Sequence, residues 1–195
     1  RSILYDVNCS DFFLIGISVG SARYGVCISN LKNQCLVASE FQMNSQIRPQ
    51  EFVAQVHQEV EKMAAQCGLD AGQFLGVGLN ISGAVDCEQG VLVRQEALAF
   101  HPDWIGAPLQ QILEQEFHLH AAVDVYVSMQ TLEQYYYGCG KNSARLLVVT
   151  CGMGIGAGFL DRGHVVRSIN NTGNSFAHLT IDFDGRKCMC GNYGC

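Results

Sequence analysis

Four metal-seeking side chains stand in the last 18 residues: His178, nine residues, then Cys188-Met189-Cys190-Gly191-Asn192-Tyr193-Gly194-Cys195. Zn²⁺ takes four soft or borderline donors in a tetrahedron, and this segment supplies four. The Cys-x-Cys pair alone is a weak signal, because two neighbouring thiolates must bend round one ion. Gly191 and Gly194 strengthen it by permitting the tight turns that bring Cys195 back. With every coordination position filled by protein, no place remains for a reactive water, so the expected zinc is structural rather than hydrolytic. The competing reading is core cysteines and a surface histidine near one another by accident. If the metal reading holds, the C-terminal stretch folds back on itself whatever precedes it.

The other seven cysteines (Cys9, Cys27, Cys35, Cys67, Cys87, Cys139 and Cys151) are scattered through strand-like or helical text. There a free thiol serves as a small hydrophobe. Only the last three cysteines cluster, which predicts a reduced, cytoplasmic protein with one metal knot rather than a disulfide-stapled domain. No apolar run reaches the roughly 18 residues that span a bilayer, so no membrane segment is expected. The formal net charge is −6, with 12 scattered Lys and Arg residues, and a net acidic surface repels a phosphate backbone. Direct nucleic-acid binding by this segment is therefore not expected. The 195 residues suit one large domain or one and a half ordinary ones.

Hydrophobic alternation marks strands at 12–19, 24–29 and 34–41, separated by turns at Gly20-Ser21 and 30–33, hence an antiparallel meander. A helix follows. Pro49 fits its first turn, Phe52, Val53, Val56, Val60, Met63 and Ala64 form one apolar stripe, and Gly68 ends it. Strands are expected at 75–81 and 90–94, a second helix within 104–117, a strand at 121–125 and a third helix over 127–137. A second meander is expected from 146–150, 155–160 and 165–169. The order is that of an α/β domain followed by the start of a similar one: an extended linker over 1–11, an N-terminal lobe over 12–122, and the beginning of a second lobe over 123–195. The chain stops immediately after Cys195 without a closing helix, so a fragment is expected.

These residues resemble the ROK family, bacterial repressors and sugar kinases built on the actin-like (ribonuclease H-like, hexokinase-type) ATPase fold. The family's zinc pattern, His-x9-Cys-x-Cys-Gly-x-x-Gly-Cys, is matched throughout. Thr150-Cys151-Gly152-Met153-Gly154-Ile155-Gly156-Ala157-Gly158 is similar to the second phosphate loop, and Gly76-Val77-Gly78 through Ser82-Gly83-Ala84-Val85-Asp86 to the glycine-rich strand and turn of the sugar lobe. The resemblance runs from about Phe12 to the end.

The departures separate repressor from kinase. Family kinases open with an Asp-x-Gly-Gly-Thr-like loop that handles Mg²⁺-ATP. The corresponding text is Ser18-Val19-Gly20-Ser21-Ala22-Arg23, with no carboxylate to hold Mg²⁺. The family's catalytic base falls on Tyr126, and a tyrosine ordinarily ionises only near about pH 10, which suits proton abstraction badly. Asp124 stands two residues earlier. On a continuing strand it would share a face with Tyr126, which leaves a kinase reading one route. In the sugar site the family's Glu is replaced by Ser175, while His178 remains and Gly83 can admit a ligand close to the backbone. The family's Asn-Leu has no clean counterpart at Ala97-Leu98.

The resemblance thus implies the effector-sensing region of a NagC/XylR-like transcriptional regulator without catalytic residues. It would take a sugar or sugar derivative at Gly83, Ser175 and His178, hold a structural zinc, keep a degenerate phosphate loop at Gly152, Gly154 and Gly156, and form a homo-oligomer. DNA would be met only through a head domain absent from this chain; the text at 1–8 is similar to the seam that joins such a head. The alternatives are an ATP-dependent sugar kinase and a module that only oligomerises.

Four smaller features take structural readings. Gly152–Gly158 reads as a retained hairpin turn and Tyr135-Tyr136-Tyr137 as lid or interface packing. His118 and His120 read as solvated turn residues. Trp104 could lean on a sugar, or be buried beside the second helix.

Overall fold

A computed structural model describes residues 6–95, 100–152, 154–168, 176–188 and 190–195. The expected meander is present: β1 (Phe13–Val19), β2 (Arg23–Asn30) and β3 (Cys35–Gln42) pair antiparallel in sequence order. α1 (Pro49–Cys67) starts with Pro49 in its first turn and ends at Gly68, whose φ of 69° is the left-handed conformation that a residue with Cβ resists. The chain then returns as β4 (Phe74–Ile81), parallel to β1. Next come a short hairpin of β5 (Ala84–Asp86) and β6 (Val91–Arg94), α2 (Leu109–Phe117), and β7 (His120–Val125), parallel to β4. The resulting five-stranded sheet has the order β3-β2-β1-β4-β7.

Alternation along β1 decides which face is covered. Phe13, Ile15, Ile17 and Val19 are buried on the side where Phe52, Val53, Val56 and Val60 of α1 and Leu109, Ile112 and Leu113 of α2 form a common core. The opposite side carries Gly16 and Ser18 of β1, Cys27 of β2 and Gly78 and Asn80 of β4. An open cleft of about 1240 Å³ lies over that face.

After β7 come α3 (Tyr126–Tyr136) and a second antiparallel sheet of β8 (Arg145–Cys151), β9 (Ile155–Asp161) and β10 (His164–Val166), in the order β10-β9-β8. α3 sits on β9 through the smallest residues available: a Cβ on Gly158 would collide with Thr131 Oγ1, and one on Gly156 would lie 3.6 Å from Val127 Cβ.

All six residues of β7 pair with β4, and the chain changes layer at Val125–Tyr126. The helix expected within 104–117 is present as α2, set apart from a 3₁₀ turn at Pro102–Trp104 by Gly106, which takes φ 80°, and Pro108. Several expectations need correction. The β5–β6 hairpin supplies a strand that was not foreseen, and the third strand of the second meander is shorter and earlier than 165–169. Four of the seven scattered cysteines, Cys35, Cys67, Cys139 and Cys151, are exposed rather than packed inside. Cys27 behaves as a small hydrophobe: burial pushes its thiol up, and its sulfur fills the space a Cβ on Gly16 would need. Among the described residues no helix is long and apolar enough to cross a membrane.

Candidate metal centre and sheet cleft

The C-terminal knot is made of backbone turns rather than regular elements. The Cys188 N–H donates to Asn192 O at 2.7 Å, the Gly191 N–H to Cys188 O at 3.0 Å, and the Gly194 N–H to Arg186 O at 2.9 Å. The returning strand is tied down by the Ile181 N–H, 2.8 Å from Gly194 O. Gly191 and Gly194 have φ of 95° and 72°, and a Cβ on Gly194 would strike the Asp182 carbonyl. Gly194 therefore requires glycine for both reasons, and Gly191 for its backbone conformation.

The turns bring the four expected ligands together. One donor atom from each of His178, Cys188, Cys190 and Cys195 lies within 4.8 Å of all the others. His178 Nδ1 is 3.5 Å from Cys188 Sγ, and Cys190 Sγ is 3.6 Å from Cys195 Sγ. A tetrahedral ion with metal–sulfur bonds of about 2.3 Å sets donor–donor edges at roughly 3.6–3.8 Å, so the cluster has the size of one such ion. The electrostatics agree. The backbone N–H of Cys190 first, then the side chains of Cys190 and His178, bring the Cys188 thiol down to about 7. Desolvation first, then its sulfur neighbours, push Cys195 up to about 11. A cluster in which one thiol gives up its proton readily, while another holds its own through desolvation and its sulfur neighbours, is a site that a divalent cation would relieve. The donor set can hold a metal ion.

Of the residues assigned to a sugar site, His178 belongs to this cluster. Gly83 lies in the turn between β4 and β5 with φ 135°, and a Cβ there would come 2.6 Å from the Arg94 carbonyl, so the close approach of the β5–β6 hairpin already requires glycine. Ser175 lies outside the described residues, as do Ala97 and Leu98.

A polar row crosses the sheet at the end of the cleft. Ser18 is opposite Asn80, and Asn80 is opposite Asp124. The Ser18 hydroxyl donates to Asn80 Oδ1 at 2.8 Å. Asp124 is buried, and both its carboxylate oxygens are taken by Arg167, at 2.8 Å from Nη1 and 2.6 Å from Nη2. Those hydrogen bonds, ahead of the attraction of the charge itself, hold the guanidinium of Arg167 even more firmly protonated than usual. Tyr126 is not on the strand. It is the first residue of α3, so strand alternation does not relate it to Asp124, and its hydroxyl accepts from Gln130 Nε2 at 2.6 Å.

Arg167 went unnoticed in the sequence. Its signal was a lone cation in apolar strand-like text, matched by Asp124, a lone acid in another such stretch; two isolated opposite charges of that kind are expected to find each other.

Gly152 and Gly154 form the tip of the β8–β9 hairpin, closed by the Gly152 N–H to Gly154 O at 2.9 Å, with open space around both. Gly156 and Gly158 serve the packing of α3. Trp104 is fully buried and donates its indole N–H to Ile47 O at 2.9 Å, so it does not face a ligand. His118 caps α2 in the left-handed conformation and is exposed, as a solvated turn residue is, whereas His120 is solvated but opens β7 rather than lying in a turn.

Comparison with known proteins gives these features a context. The chain is similar to the xylose repressor of Caldicellulosiruptor bescii, at 25% identity over 195 residues covering 100% of this chain and 48% of the repressor. It is similar also to a glucokinase of Halalkalibacterium halodurans, at 24% identity over 187 residues covering 95% of this chain and 56% of the kinase. The chain thus spans about half the length of the curated relatives it matches. Among solved structures, a ROK family transcriptional regulator described as a homolog of the E. coli MLC protein superposes with a TM-score of 0.76 at 20% identity, over 96% of this chain and 46% of the regulator. The fold is the actin-like ATPase fold of these repressors and sugar kinases. The ROK family model matches residues 14–195, and the chain belongs to the ROK family.

Proposed function

We propose that this chain is the effector-sensing region of a ROK transcriptional regulator, which binds a sugar or sugar derivative and transfers no phosphoryl group. The observation that carries the reading is the polar row Ser18–Asn80–Asp124. Ser18 stands where a Mg²⁺-handling carboxylate is needed, and its hydroxyl is spent on Asn80. Asp124, the carboxylate nearest the base position, has its oxygens occupied by a guanidinium fork and is a poor acceptor for a sugar proton. Tyr126 offers a phenol in its place.

The metal cluster would hold a structural zinc, since three thiolates and an imidazole leave no open coordination position. His178 turns Nδ1 toward the sulfurs. Its Nε2 would then be free to meet a sugar hydroxyl with its ring plane and tautomer already fixed. Ser175 and the backbone at Gly83 would complete the pocket. Residues 12–122 and 123–195 would form the first lobe and the start of the second, and occupancy would bias their relative angle. DNA would be bound by a head domain beyond this chain, and the protein would be a cytoplasmic homo-oligomer. A sugar kinase is the second reading. The open Gly152–Gly154 tip and the likeness to a glucokinase favour it.

A coupled assay of the full-length protein with ATP, Mg²⁺ and a panel of pentoses and hexoses separates the two. The expected result is background turnover alongside saturable sugar binding by calorimetry. Robust turnover that disappears in Asp124→Asn would make the protein a kinase with Asp124 as its base.

A further inference from the structure

The parallel strands β1, β4 and β7 end level with one another, with Ser18 opposite Asn80 and Asn80 opposite Asp124. In an open α/β sheet this carboxyl edge is where ligands are held. Three segments carry the candidate effector contacts. The turn after β4 holds Gly83 and runs into the β5–β6 hairpin, β7 passes into α3 at Tyr126, and the chain after β10 leads to Ser175 and His178. They are far apart in sequence, so their relative placement depends on contacts between them.

One ion pair stands where the three meet. Arg167 is the first residue after β10, and its two terminal nitrogens bind the two carboxylate oxygens of Asp124 at 2.8 and 2.6 Å. Asp124 Oδ1 also accepts the Val125 N–H, at 2.6 Å. Val125 is the N-cap residue of α3, which has no side-chain cap and no acid in its first turn. The carboxylate is thus an anion set at the positive end of that helix. On the remaining side β5 packs against β7, and Cys87 lies in the turn after β5. Burial pushes the thiol of Cys87 up, and the charges of Arg167 and Asp124 act on it in opposite directions, so this turn lies beside the pair. The pair is largely removed from water, with 10% of the Asp124 side chain and 23% of the Arg167 side chain exposed. A planar fork on a carboxylate fixes distance and angle together, which a point charge does not. Without the guanidinium, Asp124 would have to turn toward solvent or take up a proton. Either response weakens the acceptor that Val125 uses and frees the chain after β10.

We infer that Arg167 is a positioning residue of the effector site: through its fork on Asp124 it sets the start of α3, the β5–β6 hairpin and the chain leading to His178 relative to one another. The link to an effector rests on the sensing function proposed for this chain. The positioning does not, and would serve a kinase equally.

Amide hydrogen exchange of the full-length protein, read by mass spectrometry, tests the positioning without any ligand. In Arg167→Gln, exchange should quicken by at least about tenfold in residues 84–94 and 125–130, while β2 and β3 keep the wild-type rate. Arg167→Lys keeps the charge but lacks the fork, and should quicken the same two segments. Should Arg167→Gln fail to fold, the double variant Asp124→Asn/Arg167→Gln leaves no charge buried alone and is read in the same way. Calorimetry with a panel of pentoses and hexoses reads the link to the site: the sugar that the wild type binds should bind Arg167→Gln about 5–150-fold more weakly. Exchange that quickens evenly over the whole chain, or in neither segment, would overturn the inference by making the pair a general stabiliser. So would wild-type exchange in Arg167→Lys, because a charge alone would then suffice. Localised exchange with undiminished sugar affinity would overturn the link to the effector. A wild type that binds no sugar of the panel would refute the sensing function, and the exchange pattern would still decide the positioning.

Discussion

Residues 13–125 and residues 176–195 are stabilised by different chemistry. In the first region, β1, β4 and β7 lie beneath α1 and α2, and Ile17, Leu79, Ile81, Trp104, Leu109 and Leu113 are almost wholly removed from water. In the second, no described hydrophobic side chain is buried, and the fold consists of turns around four donor atoms. The first can lose a methylene and survive, because its stability is spread over many contacts. The second is cooperative with its ligand set: without a bridging ion, little opposes the entropy of the loop. A protein divided in this way can keep a rigid platform while the polar site beside it answers to metal, ligand or partner.

The sharpest way to break the comparison is to damage one region and read the other. Leu79→Ala empties a site at the centre of β4, and should lower global stability by about 2–5 kcal/mol. It should leave metal content unchanged. If the melting curve shifts and the metal is lost at the same midpoint, the two regions unfold as one, and the distinction fails.

A smaller effect is expected at the join. Arg167→Gln leaves the Asp124 carboxylate buried with half its partners gone. The cost should be about 1–3 kcal/mol, below that of a fully buried pair because the Arg167 side chain keeps 23% of its exposure. Adding Asp124→Asn should return part of that loss, measured as a double-mutant cycle in urea. Additive losses would mean that the two side chains act separately, whatever their geometry.

The two regions were also unequally legible from sequence. The knot was plain because its information is local: ligand type, spacing and two turn glycines lie within 18 residues. The strands of the sheet were legible because every second residue of β1 is large and apolar while Gly16 and Ser18 are small. What failed was non-local. A three-residue strand such as β5 has too little pattern to register, and becomes a strand only because β6 returns beside it. The glycines of 152–158 looked like one device. The structure divides them: Gly152 and Gly154 turn a hairpin, whereas Gly156 and Gly158 make room for Val127 and Thr131 of α3. The pairing of Asp124 with Arg167 spans 43 residues, and no spacing rule could announce it.

The account rests most directly on the metal. Elemental analysis of protein purified without added zinc, followed by limited proteolysis before and after chelation, examines it in one series. The predicted result is close to one zinc ion per chain. Chelation should open cleavage sites confined to residues 176–195, while the fragment holding β1 to β7 keeps its resistance and its melting temperature. A protein that contains no zinc, or that resists protease over residues 176–195 equally well after the metal is removed, would contradict the account.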